Sequence, residues 1–440
     1  MSKSLHVLVI GAGIGGLCLA QGLRRAGVSV AVYERDRAAT DRVTGYRIHL
    51  NPAGARALHA CLPPALWERF VATAGDPGGL GFFTENLKQL LVINDHDVHG
   101  ATTDAVERSH AVDRITLRHL LLDGLHDVVT FNKTFTRYQP HEDTITAFFD
   151  DGSSATGDLL VGADGVNSRV GDHFLPQSGP VDTEALSVAS KLALTPATRA
   201  WLSPRLATSM NMIIAQAPYF LFTSPFDRRE QPAEHRPRRD NDSYILCALI
   251  AHRSAYPPEV RDLDAPALQQ VVADLTARWH PDLRRLLADA EPDSVSLQPH
   301  RASVPVPAWK TTTVTLIGDA IHAMPPVGGL GGNAALRDAH LLCRALAHVN
   351  TGAVPLLEAV QHSETEIRAQ GYAARRQALA TQHQGLRSNP LAVTATRAWF
   401  RCAHTIPTLR RVTVPYRRQA RKRPWEEDVR PGDAEHRSQW

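Results

Sequence analysis

The chain has 440 residues, of which 43% are hydrophobic and 21% are charged, and this ordinary composition excludes disordered, collagen-like and disulfide-stabilised miniprotein classes. Its formal net charge is +3, from 48 Lys and Arg against 45 Asp and Glu, so it lacks the overall basicity of a nucleic-acid-binding protein. The length allows two or three domains. The 5 cysteines are widely spaced and contain no CxxC pair, so nothing predicts a metal site or a disulfide framework.

The segment from Leu5 to Leu23 carries no charged residue and could be mistaken for a signal peptide or a membrane span. Four glycines divide it into a short strand and a helix. No other apolar run is long enough to cross a bilayer. The sequence therefore predicts a soluble cytoplasmic protein with no membrane or nucleic-acid partner; its oligomeric state stays open.

The N-terminus has the order of a dinucleotide-binding unit. An apolar run, residues 6–10, is followed by the glycine-rich turn 11–16, a helical pattern that stops at Gly27, and a second apolar strand, 28–33, that ends at Glu34. Gly11 would permit the tight turn, Gly13 would let the backbone approach a pyrophosphate, and Gly16 would allow close packing of helix on strand.

Electrostatics narrows the choice of dinucleotide. The N-terminus of the helix, at Ile14 and Gly15, offers free N–H groups and partial positive charge to a phosphate. Glu34, with Arg35 beside it, could accept both ribose hydroxyls of an adenosine but would repel a 2′-phosphate. The unit therefore suits FAD or NAD better than NADP.

Two further motifs follow in the chain. Residues 144–149 and 159–163 are predicted strands around the turn 150–153, and the second strand enters Asp164-Gly-Val-Asn-Ser-Arg169. A third apolar strand leads into residues 318–333, which contain Gly318-Asp319, Pro325-Pro326 and a glycine run, before a helix predicted to start near Ala334.

Together the three motifs resemble those of the FAD-dependent aromatic hydroxylases, the para-hydroxybenzoate hydroxylase-like class of flavoprotein monooxygenases, from residue 5 to about 345. The resemblance implies an α/β fold, in which a Rossmann-like FAD-binding domain carries an inserted, mostly antiparallel β-sheet substrate domain and C-terminal helices. The expected boundaries are FAD-binding segments 1–75, 106–178 and 301–350, substrate-domain segments 76–105 and 179–300, and a C-terminal helical region with a basic tail, 351–440.

The resemblance also implies roles for particular residues. Asp319 would hold the ribityl chain, Pro325 would form a rigid wall, and backbone N–H groups of Gly332 and Asn333 would face the pyrimidine side of the flavin. Arg114 would contact FAD, although it and Arg118 could instead lie on a solvated helix face. The candidate cofactor-binding residues are Gly11, Gly13, Ile14, Gly15, Gly16, Glu34, Arg35, Gly45, Arg47, Arg114, Asp164, Asp319, Pro325, Gly331, Gly332 and Asn333.

Other residues are predicted to be structural. His322 and Cys18 are interpreted as packing residues, Tyr219 and Tyr244 are expected to pack in the substrate sheet, and no catalytic residue is assigned. Residues 227–242 are expected to form a charged loop, and the basic residues of 401–423 a solvated helix.

The implied activity is that of a monooxygenase. NADH or NADPH would reduce FAD, O2 would add at C4a, and the flavin hydroperoxide would hydroxylate a small aromatic substrate. One departure concerns the reductant: the family usually has an Arg seven residues after the Asp of the second motif, whereas this position is Gly171. A flavin-dependent reductase and a non-catalytic dinucleotide-binding protein stay as alternatives. A flavin halogenase is disfavoured, because that family carries a WxWxIP segment and no two Trp residues of this sequence are two positions apart.

Overall fold

The structure is a computed structural model that describes residues 4–39, 41, 46–94, 97, 102–216, 218–227 and 243–413. Three predictions therefore lie outside the described residues: the role of Gly45, the charged loop over nearly all of its length, and the basic residues after 413.

The element order is that of an α/β protein with a long helical C-terminus. The strands are β1 His6–Ile10, β2 Ser29–Tyr33, β3 Arg47–Leu50, β4 Leu80–Thr84, β5 Gln89–Ile93, β6 His110–Asp113, β7 Val129–Thr130, β8 Phe135–Pro140, β9 Ile145–Phe149, β10 Ser154–Gly157, β11 Leu159–Gly162, β12 Pro180–Ala193, β13 Met210–Ile214, β14 Tyr219–Phe226, β15 Tyr244–His252, β16 Ser296–Ser303 and β17 Val314–Leu316. The helices are α1 Ile14–Arg25, α2 Pro52–Cys61, α3 Pro64–Thr73, α4 Arg114–Leu122, α5 Arg169–Phe174, α6 Pro196–Trp201, α7 Pro204–Thr208, α8 Ala265–Leu275, α9 Pro281–Ala288, α10 Asp319–His322, α11 Leu330–Asn350, α12 Leu356–Gly385, α13 Pro390–Thr405 and α14 Pro407–Thr413.

A five-stranded parallel sheet in the order β17-β11-β1-β2-β7 forms the centre of the first part. β1 and β11 read as continuous apolar runs because both of their faces are buried, as in other parallel sheets with helices on each side. The strands predicted around residues 150–153 are present, but that turn joins β9 to β10 rather than to β11. β10 was not predicted, because its sequence Ser-Ala-Thr-Gly gives little apolar signal.

The inserted sheet has seven strands in the order β16-β12-β15-β14-β13-β4-β5. The first substrate-domain segment contributes β4 and β5, the second contributes β12 to β15, and β16 continues the sheet to Ser303. Its pairs are antiparallel except β13 with β4, which run parallel because β4 comes from the earlier, separate segment of the chain. Residues of α8 and α9 pack on one face of this sheet in a separate hydrophobic core.

Tyr219 packs in the substrate sheet, as predicted, on the face that α8 and α9 cover. Its hydroxyl donates to the carbonyl of Leu275 at 2.7 Å, and its ring stacks on Trp279 with centroids 6.1 Å apart. Tyr219 therefore points away from the opposite face of the sheet, which borders the cavity described below.

The C-terminal helices close the fold. α11 packs against α1 and α2 through a stripe that includes the predicted Leu336, Cys343 and Leu346. Cys18 is buried in α1, as predicted, and is a free thiol. α13 packs against β5 of the inserted sheet. Among the helices of the described ranges, none combines the length and apolar character that a bilayer crossing requires.

Candidate active site

One cavity of about 1080 Å³ extends from the glycine-rich turn to the inner face of the seven-stranded sheet. It is larger than the roughly 300–1000 Å³ usual for a single ligand pocket, so a dinucleotide and a second small molecule can share it. The predicted residues that line it are Gly11, Gly13, Ile14, Gly15, Glu34, Arg35, Arg47, Arg114, Asp164, Asp319, Pro325, Gly331 and Gly332.

The glycine turn has the geometry that an anion requires. Gly11 has φ +107°, and a Cβ there would lie 2.5 Å from the carbonyl oxygen of Ala163, so a larger residue is excluded. A Cβ on Gly13 would meet nothing within 4 Å, because this position opens into the cavity. α1 begins after Gly13 without a side-chain cap from the described residues, so its first N–H groups can bind a phosphate.

Gly16 does not line the cavity; it has the packing role that was predicted for it. A Cβ there would lie 2.1 Å from the carbonyl oxygen of Gly11 and 3.2 Å from the Cβ of Ala163. The absence of a side chain therefore lets α1 approach β1 and β11.

Glu34 lies at the end of β2, is 3% exposed, and lines the cavity. Its Oε2 accepts a hydrogen bond from the N–H of Ala12 at 2.6 Å, and its Oε1 accepts one from Asp36 at 3.1 Å. The carboxylate therefore also holds the glycine turn, a role that the sequence analysis did not include. Its contact with ribose stays a prediction.

Arg118 is not on a solvated helix face, so that alternative was wrong. The side chain is 6% exposed, and its Nε donates to the carbonyl of Ala12 at 3.0 Å. Nη1 donates to Ala39 at 3.1 Å, and Nη2 pairs with Asp36 at 3.0 Å. Arg118 thus ties α4 to the dinucleotide turn and its flanking loop.

Arg114 begins α4, because residues 110–113 form β6 and the side chain of Asp113 caps the helix. Its side chain is exposed to the cavity. Burial raises the pKa of Asp319, and the charge of Arg114 acts against this rise, so the two groups are within electrostatic reach. This position agrees with the predicted FAD contact, which stays a prediction.

Asp164 lines the cavity, but its carboxylate caps α5. Oδ1 accepts from the Ser168 hydroxyl at 2.5 Å, and Oδ2 accepts from the N–H of Arg169 at 2.8 Å. Burial raises its pKa despite these bonds. With both oxygens engaged, the backbone of this loop is the part that is open to a cofactor.

Gly171, at the position where the family usually has an Arg, is closely packed. A Cβ would lie 3.0 Å from Ser168 Oγ and 3.2 Å from the carbonyl of Ala320. The neighbouring Arg169 lines the cavity, and its Nη1 donates to the carbonyl of Phe135 at 3.1 Å. Which residues would contact a nicotinamide stays a prediction.

Asp319 follows Gly318, whose φ of +61° turns the chain from β17 into α10. The Asp319 carboxylate is exposed to the cavity, while protein surrounds it on its other sides. This burial raises its pKa, and the charges of His322 and Arg114 oppose the effect. A carboxylate in this position can accept hydrogen bonds from the hydroxyls of a ligand.

α11 begins at Leu330, four residues before the predicted start, because Gly328 and Gly329 adopt φ +82° and +65° and form the turn before it. The first N–H groups are therefore those of residues 330–333, and none of the described side chains caps them. They can stabilise negative charge on a bound group.

The side chain of Asn333 is structural, which the sequence did not indicate. Its Nδ2 donates to the carbonyls of His49 and Gly329 at 2.8 and 2.7 Å, and its Oδ1 accepts from the N–H of Asn51 at 2.9 Å. It thereby holds the start of α11 against β3 and α2.

His322 is fully buried, and its Nε2 contacts Oδ2 of Asp338 at 2.5 Å. Burial opposes a charge on the imidazole, but the Asp338 carboxylate outweighs burial and raises the pKa of His322. Oδ2 of Asp338 also accepts from the N–H of Gly318 at 2.9 Å. The pair therefore fixes the loop that presents Asp319, in agreement with the structural role predicted for His322.

Arg47 lies where β3 meets the inserted sheet. It donates to the hydroxyl of Ser224 and, at 2.6 Å, to the carbonyl of Pro77. Burial lowers its pKa to about 10, against the influence of Tyr244 and Asp76. Tyr244 packs in the sheet as predicted, and its hydroxyl donates to Oδ2 of Asp113 at 3.0 Å.

The substrate end of the cavity contains residues that the sequence analysis did not assign. The inner face of the sheet contributes Ser187, Met212, Phe222 and His300, and the helical C-terminus contributes Thr381 and Phe400. Strand alternation could have identified the sheet face. The packing of α13 over this end has no local sequence signal.

Residues 4–373 match the family described as FAD binding domain. The chain is 31% identical over 381 residues, 78% of its length, to the dual O-methyltransferase/FAD-dependent monooxygenase elcB of Phaeosphaeria nodorum, and covers 40% of that protein. It is 30% identical over 379 residues to a probable FAD-dependent monooxygenase of Arthroderma benhamiae, covering 81% of this chain and 84% of that protein. The chain thus spans 40–44% of the length of the first curated relatives.

Two solved structures are similar over most of the chain. A protein from Photorhabdus luminescens, described as a candidate FAD-containing monooxygenase, has 34% identity and a TM-score of 0.78 over 87% of this chain and 99% of that one. Klebsiella pneumoniae HpxO complexed with FAD and uric acid has a TM-score of 0.74 over 92% of this chain and 95% of that one; at 20% identity this likeness concerns the fold alone.

The cavity itself fits FAD. The open Gly13 position, the uncapped starts of α1 and α11, and the Asp319 carboxylate border one continuous space, and they offer the N–H donors and the acceptor that the phosphates and hydroxyls of FAD require. The chain therefore belongs to the FAD binding domain family and has FAD as its cofactor, as its monooxygenase relatives do.

Proposed function

We propose that the chain is an FAD-dependent monooxygenase that uses NADH or NADPH and O2 to hydroxylate a small aromatic molecule. The observation that carries the proposal is the continuity of the cavity: the cofactor region opens directly onto the inner face of the seven-stranded sheet. When bound and reduced, FAD would supply the activation of O2.

The chain's own residues would orient the two ligands and exclude water. Asp319, Arg114 and the glycine turn would hold the cofactor, and the N-terminus of α11 would stabilise the negative charge that reduction places on the ring. The sheet and α13 would cover the second ligand, so the reacting atoms would be separated from bulk solvent.

The lining supports an aromatic substrate. Met212, Phe222 and Phe400 offer flat or polarisable surfaces, and Ser187 and His300 are polar groups among them. Such a mixture suits a flat, largely apolar molecule with a few polar substituents.

The first experiment is purification of the full chain with FAD, followed by stopped-flow reduction with NADH and with NADPH in the presence and absence of phenols. A phenol that speeds reduction is then incubated with 18O2, and the product is examined by mass spectrometry. We expect one 18O atom in the product. Reduction without oxygen incorporation for any compound would favour the reductase alternative, and a flavin that neither nicotinamide reduces would favour a non-catalytic role.

A further inference from the structure

A chain of four hydrogen-bonded side chains runs into the substrate end of the cavity. Thr183 and Ser187 are on β12, His300 is on β16, and Gln382 is on α12. Ser187 and His300 line the cavity. Three of the four are nearly inaccessible, with exposures of 2% for Ser187, 1% for His300 and 0% for Gln382.

The direction of each bond follows from the inventory of donors and acceptors. The hydroxyl of Thr183 donates to the backbone carbonyl of His300 at 3.1 Å, which uses its only proton. Thr183 Oγ1 must then accept from Gln382, whose Nε2 lies 3.1 Å away. The amide oxygen of Gln382 is thereby directed at His300, at 2.8 Å from Nδ1.

This arrangement fixes the tautomer of His300. Nδ1 must carry a proton, because its partner is an oxygen that can only accept. Burial lowers the pKa of His300, with Gln382 and the charge of Asp182 on β12 acting against it, so the ring is neutral at pH 7. Nε2 is therefore an acceptor, and the hydroxyl of Ser187, 3.1 Å away, donates to it.

The hydroxyl oxygen of Ser187 can therefore accept a further hydrogen bond, but its only proton is already donated to His300. It is paired in the sheet with Ile250 and Gln298, which also line the cavity. β16 continues to Ser303, which exchanges hydrogen bonds with Ala323 just before the Pro325 wall. The acceptor at Ser187 thus faces the same cavity as the cofactor-binding residues.

We propose that Ser187 accepts a hydrogen bond from a hydroxyl of the aromatic substrate and relays its proton to His300. The substrate O–H bond breaks as a new O–H bond forms on Ser187, while the original Ser187 proton moves to Nε2 of His300. The products are a substrate oxyanion and an imidazolium, and no oxidation state changes. Ser187 is the catalytic residue, and Gln382 is a positioning residue that keeps Nε2 free.

The inference rests on the proposed function, because the benefit of ionising the substrate hydroxyl is that an ionised hydroxyl makes the ring more reactive toward an electrophilic oxygen. It can nevertheless be tested without turnover. The probe is 7-hydroxycoumarin, a bicyclic phenol whose neutral and ionised forms absorb differently. It is titrated with pH in the presence of the FAD-loaded full chain.

We expect the bound probe to ionise at a lower pH than the free probe, with an ionisation constant about tenfold higher. Ser187→Ala and His300→Gln should abolish this difference. The matched control is Ser190→Ala, which removes a buried hydroxyl from the same strand but not from the cavity lining. FAD content and thermal unfolding, measured on every variant, report whether the fold is intact.

An unshifted ionisation in the wild type, a shift that survives Ser187→Ala, or failure of the probe to bind the FAD-loaded wild type would each overturn the relay. The 18O2 experiment on the same preparations tests the monooxygenase separately. A protein that shifts the ionisation of the probe but incorporates no oxygen retains the relay and loses the proposed function.

Discussion

At the scale of single residues, the carboxylate of Asp319 is exposed to the cavity between Gly318 and the start of α11. Asp319→Ala removes the carboxylate that we propose accepts hydrogen bonds from hydroxyls of the cofactor, and charged hydrogen bonds contribute about 1.5–3 kcal/mol each. We expect FAD affinity to fall by roughly 100-fold or more. Fluorescence titration of the apoprotein with FAD measures it. Purification of the variant with stoichiometric FAD would contradict the assignment.

Arg118 should matter for both stability and cofactor binding. Arg118→Met removes the bonds to Ala12, Ala39 and Asp36, and takes a buried positive charge away from Glu34 and Asp36. The expected loss in the free energy of unfolding is about 2–4 kcal/mol. The control is Arg24→Met, which breaks an exposed pair with Asp127 and should cost no more than about 1 kcal/mol. Equal losses in urea unfolding would show that Arg118 does not hold the turn.

The buried pair of His322 and Asp338 predicts a pH dependence. The pKa of His322 is raised in the folded chain, so its contribution to stability is fully present below its unfolded value, about 6.5, and is lost as pH rises through the folded value. The stability difference between the wild type and His322→Asn should therefore shrink from pH 6 to pH 9. Urea unfolding at several pH values measures it, and a difference that is constant with pH would exclude a charged His322.

At the scale of elements, the turn before α11 determines where the helix points its N–H groups. Gly329→Ala places a side chain at φ +65°, which costs about 1–2 kcal/mol, and should move the start of the helix. Gly352→Ala is the matched control, since Gly352 has φ +75° and lies beyond the other end of α11. Both variants should lose similar stability, but only Gly329→Ala should lower FAD affinity and the flavin reduction potential. An unchanged potential would show that the helix start does not act on the ring.

Many of the secondary-structure elements could be predicted from the sequence. β1, the glycine turn and α1 were predictable because buried parallel strands are continuously apolar and the turn admits only glycine at Gly11. The start of α11 was misplaced because a glycine run looks irregular, although Gly331 and Gly332 are helical here. Their low helix propensity is overcome by tertiary contacts such as those of the Asn333 side chain.

At the scale of the whole molecule, the site joins segments that are far apart in the chain. Ser187, His300 and Gln382 belong to no short motif, and their roles come from contacts across 82 to 113 residues. A local pattern cannot encode such pairings, so the sequence predicted the cofactor end of the cavity much better than the substrate end.

The attachment of α13 gives the last prediction. Arg397 is 9% exposed, pairs with Glu85 in the β4–β5 turn, and donates to the carbonyl of Ile214 at the end of β13. On the same helix, Phe400 packs against Phe82 in a tilted arrangement, with ring centroids 4.6 Å apart, and lines the cavity. Arg397 therefore holds the helix that covers the substrate end.

Arg397→Ala leaves Glu85 without its partner and should cost about 2–4 kcal/mol of local stability. We expect faster hydrogen exchange in residues 390–405 and weaker binding of phenolic ligands, because the covering helix opens more often. FAD affinity and exchange in residues 114–122 should stay unchanged, since α4 contacts the distant glycine turn. The control is Arg69→Ala, which breaks an exposed pair with Asp123. Exchange that is accelerated throughout the chain, or not at all in α13, would show that Arg397 does not act as a local anchor.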